Sequence, residues 1–123
     1  MRAEPFLLDP GSRGRALNIL GHFITVLASG EATGGYEVFL IEGPHGSGPR
    51  AHRHPWDESL YITRGSVEIT LDEKTLQALP GTLVHLPGGS PHRFCFGEGG
   101  GEMLCVTSRL GASRMFVEID REI

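Results

Sequence analysis

The feature that most restricts this chain is how often its apolar segments are interrupted. Eighteen glycines and eight prolines are spread through 123 residues. That density of breakers argues against a helical bundle and divides the chain into short runs. Turn chemistry recurs about every eight to twelve residues, the spacing of an all-β sandwich or barrel. Within the runs, apolar residues alternate with the period of two that turns one face of a strand inward. In YEVFLIE (36–42), Tyr36, Val38 and Leu40 take one face, and Phe39 and Ile41 the other. Apolar residues on both sides predict a strand covered on both sides.

Taken in order, residues 1–16 carry Pro5, Pro10, Gly11 and Gly14 and read as an irregular arm laid over the domain or over a partner. Residues 17–123 read as one barrel domain. LNILGHFITVLA (17–28) predicts a strand or a bent pair of strands, and SGEATGG (29–35) a turn. Glu58, Leu60 and Ile62 share one parity in a strand that Gly65 is expected to end. Val67, Ile69 and Leu71 alternate in the next. TLQAL and TLVHLP predict two more short strands, and HRFCF, GEGGG and EMLCVTS a hairpin. Residues 114–119 fit a last strand or a short helix.

Hydrophobic residues make up 39% of the chain, too many for disorder, and no window approaches the ~20 apolar residues of a membrane-spanning helix. The net charge is −4 and no basic run exceeds two residues, which excludes the electrostatic footprint of a nucleic-acid binder. MRAEPFLLDPGSR lacks the apolar core of a signal peptide, so a cytoplasmic protein is the expectation. Cys95 and Cys105 do not form a metal-type CxxC. They flank the glycine-rich turn, where paired strands would bring them close, and are expected to be reduced thiols used as small apolar side chains.

The chemistry concentrates in GSGPRAHRHPWDESLYITRG (46–65). His52 and His54 lie two apart and Glu58 four further on, so all three share a face if the stretch is extended with one irregularity after Pro55. Two imidazoles and a carboxylate on one face make half of a divalent metal site. His92 in GGSPHRF is the candidate fourth ligand, with Phe94 and Phe96 on its parity. Three His and one Glu leave two positions open on an octahedral ion. Two histidines in a loop would by themselves be read as solvent-facing; the carboxylate spacing and a fourth candidate after a Gly-Pro turn raise the case for the metal.

These residues resemble the two motifs of the cupins. The first, G-x5-H-x-H-x3-E-x6-G, is matched at Gly46, His52, His54, Glu58 and Gly65. The second, G-x5-P-x-G-x2-H-x3-N, is matched at Gly81, Pro87, Gly89 and His92, with Phe96 in place of the final Asn. The resemblance implies a small barrel of two antiparallel sheets around one divalent transition metal ion (Mn, Fe, Co, Ni, Cu or Zn) held by His52, His54, Glu58 and His92. Thr33-Gly34-Gly35 and Asp57-Glu58 are similar to the pattern of small quercetinase-like cupins, which implies dioxygen chemistry on a small, aromatic substrate chelated to the metal. A non-oxidative metal enzyme (isomerase, decarboxylase or lyase) and a non-catalytic sensing module are the alternatives.

If the parity of the ligands holds, Leu60, Ile62, Val84, Leu86, Phe94 and Phe96 wall the substrate pocket, or else simply fill the barrel. Arg50 shares the parity of His52 and is placed at the mouth, to meet an anionic group or solvent. Glu58 is the candidate general base, should it swing off the metal. Trp56 and Tyr61 are read as packing or interface residues, His85 as facing away from the metal, and His22 and His45 as surface or loop histidines. The two apolar faces of strand 36–42, with the arm, predict a homodimer.

Overall fold

The computed structural model describes residues 4–108 and 112–122, with side chains as far as 117. Among the described residues, seven strands and two α-helices follow in order: β1 (Leu17–Ile19), β2 (His22–Ala28), α1 (Gly30–Thr33), β3 (Tyr36–Gly43), β4 (Glu58–Leu71), β5 (Lys74–Ala78), β6 (Leu83–Leu86), β7 (His92–Ser108) and α2 (Ala112–Glu122). All pairings are antiparallel, in the order β1-β2-β3-β7-β4-β5, with β6 also on β4. The predicted all-β barrel is therefore what the chain forms.

Two long bent strands close the barrel. The first half of β4 pairs with β6 and with the second half of β7; its second half pairs with β5 and with the first half of β7. Each long strand thus runs through both halves of the one seven-stranded sheet. The bends fall at bulges between Ile62 and Arg64 and between Gly65 and Val67, where an extra residue sharpens the local twist. Gly65 sits there at φ 73°, and a Cβ on it would lie 2.1 Å from the carbonyl oxygen of Gly100. Only glycine fits that crossing.

This corrects two expectations. Gly65 does not end a strand; it bends one. HRFCF and EMLCVTS do not pair with each other across GEGGG but run on as the single strand β7. Glycine-rich composition is the same for a hairpin turn and a bend, and the partner decides: β4 is long enough to pair with both halves. Cys95 and Cys105 consequently lie along one strand, and both are free thiols.

The interior is packed by Phe39, Ile41, Leu60, Ile62, Ile69 and Met103, among others. The ambiguous C-terminal segment is a helix. Its first turn is anchored by Glu37, a carboxylate only 1% exposed on β3. Glu37 accepts from the backbone N–H of Ser113 at 3.1 Å, from the Ser113 hydroxyl at 2.5 Å, and from the N–H of Gly30 at 2.8 Å. The Phe116 ring packs edge-on against Phe39, with centroids 5.1 Å apart. The SGEATGG turn contains the one-turn helix α1, capped by Ser29, whose hydroxyl accepts from Ala32. In the arm, residues 4–15 are all exposed, Leu7 by 87%, and form a short 3-10 turn at Pro10–Ser12. No described helix is long and apolar enough to cross a membrane.

Candidate metal centre

Backbone pairing brings the two histidine segments together. His52 N–H donates to the carbonyl of His92, and His92 N–H donates back, each at 2.9 Å. Gly89 N–H donates to the carbonyl of His54 at 2.8 Å, and the Asp57 carboxylate accepts from Gly88 at 2.8 Å. The turn before His92 is thus strapped to the loop that carries His52 and His54. Glu58 is the first residue of β4.

The four side chains meet at one point. The ring nitrogens of His52, His54 and His92 lie within 4.8 Å of one another, a group able to hold a metal ion. Glu58 Oε2 lies 2.7 Å from His54 Nε2 and 3.5 Å from His92 Nε2. Neighbouring ligands at right angles on an ion with bonds of ~2.1 Å would be about 3 Å apart, so these separations suit a common cation.

The orientation of the rings is fixed from behind. Nδ1 of each histidine faces a backbone carbonyl: Arg50 for His52 at 2.8 Å, Trp56 for His54 at 3.2 Å, and Ser90 for His92 at 2.9 Å. A carbonyl can only accept, so each Nδ1 carries the hydrogen. In the neutral ring, Nε2 is then a lone pair aimed at the centre, the arrangement seen in histidine ligands of metals. Two acceptors, His54 Nε2 and Glu58 Oε2, cannot sit 2.7 Å apart without a cation between them. A proton or a metal ion fits this donor set.

The titration directions describe the proton case. Burial alone would raise the Glu58 carboxyl, but hydrogen bonds from His54, His92 and the Cys105 thiol bring it down to about 2. His92 is desolvated, yet its hydrogen bonds to Glu58 and to the Ser90 carbonyl leave it raised. His52 is lowered, by burial first, against the pull of the Arg50 carbonyl. Burial and the Glu58 charge push the Cys105 thiol up, so it stays protonated and donates to Glu58 Oε1 at 3.1 Å.

A cavity of about 250 Å3 opens beside the cluster. The comparisons with known proteins bear on what it serves. The model of the cupin domain matches residues 39–107.

This chain is a cupin.

The cupin is 32% identical over 93 residues to quercetin 2,3-dioxygenase of Bacillus subtilis (strain 168), a match over 73% of this chain and 27% of that enzyme. The chain therefore spans about a quarter of that relative's length. Among solved structures, KdgF from Halomonas sp. superposes with a TM-score of 0.80 at 15% identity, over 90% of this chain and 99% of that one. The polyketide cyclase RemF from Streptomyces resistomycificus superposes with a TM-score of 0.75 at 19% identity, over 85% and 80% of the two chains. These likenesses show the fold.

The cavity wall differs from the one that parity predicts. Phe94 lines it. Leu60, Ile62, Leu86 and Phe96 are absent from its lining; they are buried in the core of the barrel. Val84 lines a separate hollow with Leu71, Leu76 and His85. Arg50 is exposed, and Arg53 lines the cavity instead. The alternation itself holds, since Glu58, Leu60 and Ile62 are all buried on one parity of β4; the cavity lies at the Glu58 end, where Met115 and Phe116 of α2 also line it.

Trp56 stacks on the His54 ring, with centroids 4.5 Å apart and planes 14° from parallel. His85 is exposed and hydrogen-bonded to Ser59, and His45 is exposed. His22 is not a surface histidine. It is 2% exposed, lines the cavity, and lies edge-on to Phe94 at 5.6 Å. Burial, then the charge of His52, lowers its pKa to about 4. Its parity with the inward Ile24 was the available signal. Thr107, opposite Glu58 in the β4–β7 register, also lines the cavity.

Proposed function

We propose that this cupin is a metal-dependent dioxygenase of quercetinase type, acting on a small aromatic substrate chelated at the histidine cluster. The observation that carries the reading is the donor set: three imidazoles with ligand atoms within 4.8 Å of one another, each with Nδ1 tied to a backbone carbonyl, and two of them, His54 and His92, with Nε2 turned toward one carboxylate. The likeness to quercetin 2,3-dioxygenase supports the oxidative branch. His52, His54, Glu58 and His92 would hold one divalent ion, drawn from the range Mn to Zn. When bound, that ion would supply Lewis acidity toward a substrate hydroxyl or enol, and a site for dioxygen.

The chain's own groups set the rest. Trp56 buttresses His54, and the Arg50, Trp56 and Ser90 carbonyls hold the rings in one tautomer. The apolar wall excludes water from the oxygen end of the substrate. Glu58 is a weak base while the imidazoles hydrogen-bond it, so its role as general base requires that it leave them. Elemental analysis of protein purified without a metal-affinity step should find about one divalent ion per chain. Oxygen uptake should follow for some member of a panel of flavonols and aromatic diols. Turnover of that panel without oxygen uptake would favour a lyase or isomerase, and binding without turnover a sensing module.

A homodimer is part of the same proposal. Leu40, Leu104, Tyr61 and Leu83 stand in one row across the outer faces of β3, β7, β4 and β6. Tyr61 is 46% and Leu83 66% exposed, and Phe6 and Leu7 of the arm lack cover. A second copy would bury both surfaces. A monomer by light scattering at micromolar concentration would end this part of the proposal.

A further inference from the structure

Most of the cavity wall is apolar, built from Ile19, Ile24, Ile41, Phe94, Met115 and Phe116. Two polar side chains interrupt it. His22 opens β2 and is 2% exposed; Thr107 lies near the end of β7 and is 1% exposed. His22 Nδ1 and Thr107 Oγ1 are the buried side-chain polar atoms without a hydrogen-bond partner among the described residues. Unpaired buried polar atoms are rare in folded proteins because each keeps the cost of leaving water and recovers nothing. Here both belong to side chains that line one cavity, beside the candidate metal ligands.

The fold does not need either polar atom. A phenylalanine at position 22 would keep the edge-on contact with Phe94, and valine at position 107 has the shape of threonine. At neutral pH the His22 ring is uncharged, offering one donor and one acceptor. The Phe94 ring edge restrains its orientation. A threonine hydroxyl can also donate or accept. Neither atom has a partner in the chain, and a turn of either side chain would bring its polar atom to the cavity that it lines, where an occupant with oxygen atoms of its own would satisfy it.

We propose that His22 and Thr107 are specificity-determining substrate contacts, hydrogen-bonding a polar group of the substrate other than the oxygens chelated at the histidine cluster. The substrate class that follows is a small planar molecule of one or two rings. It carries a chelating pair of oxygens and at least one further hydroxyl or carbonyl. The volume agrees, since about 250 Å3 falls just below the pockets of drug-sized ligands, which begin at ~300 Å3, and so suits a smaller molecule. The inference rests on the proposed function in one respect, that the substrate's chelating end meets the cluster.

The test uses 2,3-dihydroxynaphthalene and the panel of its derivatives bearing a third hydroxyl, with binding followed by calorimetry on the full chain. Wild type should bind at least one trihydroxy probe about tenfold more tightly than the diol. In H22F and T107V that preference should fall toward one while diol affinity holds, and T107S should keep it. Both apolar variants, free of ligand, should melt at or above the wild-type temperature, because each removes an unpaired buried polar atom. No preference in wild type would overturn the inference. So would a preference unchanged in both variants, or variants that melt several degrees lower and lose all probes alike. Metal content measured on the same samples separates this result from the proposed function. A protein without metal that keeps the preference and its dependence on His22 and Thr107 refutes the metal reading and upholds this one. A metal-loaded protein without preference refutes this one alone.

Discussion

Buried His22 makes the stability of this cupin depend on pH in a way that can be worked out in advance. Its pKa falls from 6.5 in the unfolded chain to about 4 in the folded one. Between those values the unfolded state holds the extra proton, so folding stability rises with pH across that window and is lost as pH falls. The full shift of about 2.5 units corresponds to about 3 kcal/mol. At pH 5 about 2 kcal/mol of it should already be gone relative to pH 8. The perturbation is H22F, which cannot titrate. Denaturant unfolding of both proteins with chelator present, at half-unit steps from pH 8 to 4.5, gives the difference directly. H22F should gain on wild type by about 2 kcal/mol between pH 8 and pH 5. Groups that do not interact with His22 titrate equally in both proteins and cancel, which leaves the His22 proton and its coupling to His52. Parallel stability curves would refute the claim that His22 is held neutral by burial.

Three other outcomes are expected. H54A should lose most of its bound metal by elemental analysis while far-ultraviolet circular dichroism stays that of the barrel; full occupancy would remove His54 from the ligand set. E37Q should loosen α2, because the carboxylate that accepts from Ser113 and Gly30 becomes a weaker acceptor. Amide exchange should then quicken at residues 112–117 while the β4–β7 ladder stays protected; equal protection in both proteins would contradict the anchoring role. G65A should cost about 3 kcal/mol or more in denaturant unfolding, since the added carbon meets a backbone carbonyl that cannot move aside. A loss under ~1 kcal/mol would mean that the bend relaxes.

The barrel was readable from the chain because period-two alternation and frequent turn residues leave few other solutions. The strand breaks were less so. Gly65 and the GEGGG run carry the composition of turns, and only the length of the partner strand makes them bends. Ligand candidates stood out by spacing, and backbone bonding between His52 and His92 puts them at one point. Parity told which residues turn inward, and Leu60, Ile62, Leu86, Phe94 and Phe96 do, but it does not tell which inward residues border the hollow rather than pack the core. His22 and Glu37 were passed over for one reason: a polar residue within an apolar run looks like surface until its neighbours at i+2 are seen to be buried. His22 precedes Ile24, and Glu37 precedes Phe39, each by two.

The mutual hydrogen bonds of His52 and His92 have a consequence for assembly. They close a loop of forty residues, a step whose chain entropy opposes it by about 3 kcal/mol before any contact repays it. Until that closure forms, the imidazoles belong to two unconnected stretches, and an ion meets at most His52, His54 and Glu58 on a segment not yet held in place. Uptake of a cation should therefore follow barrel completion rather than guide it, and its effect would be to slow reopening. Dissociation of the ion and unfastening of the two segments would then share one barrier.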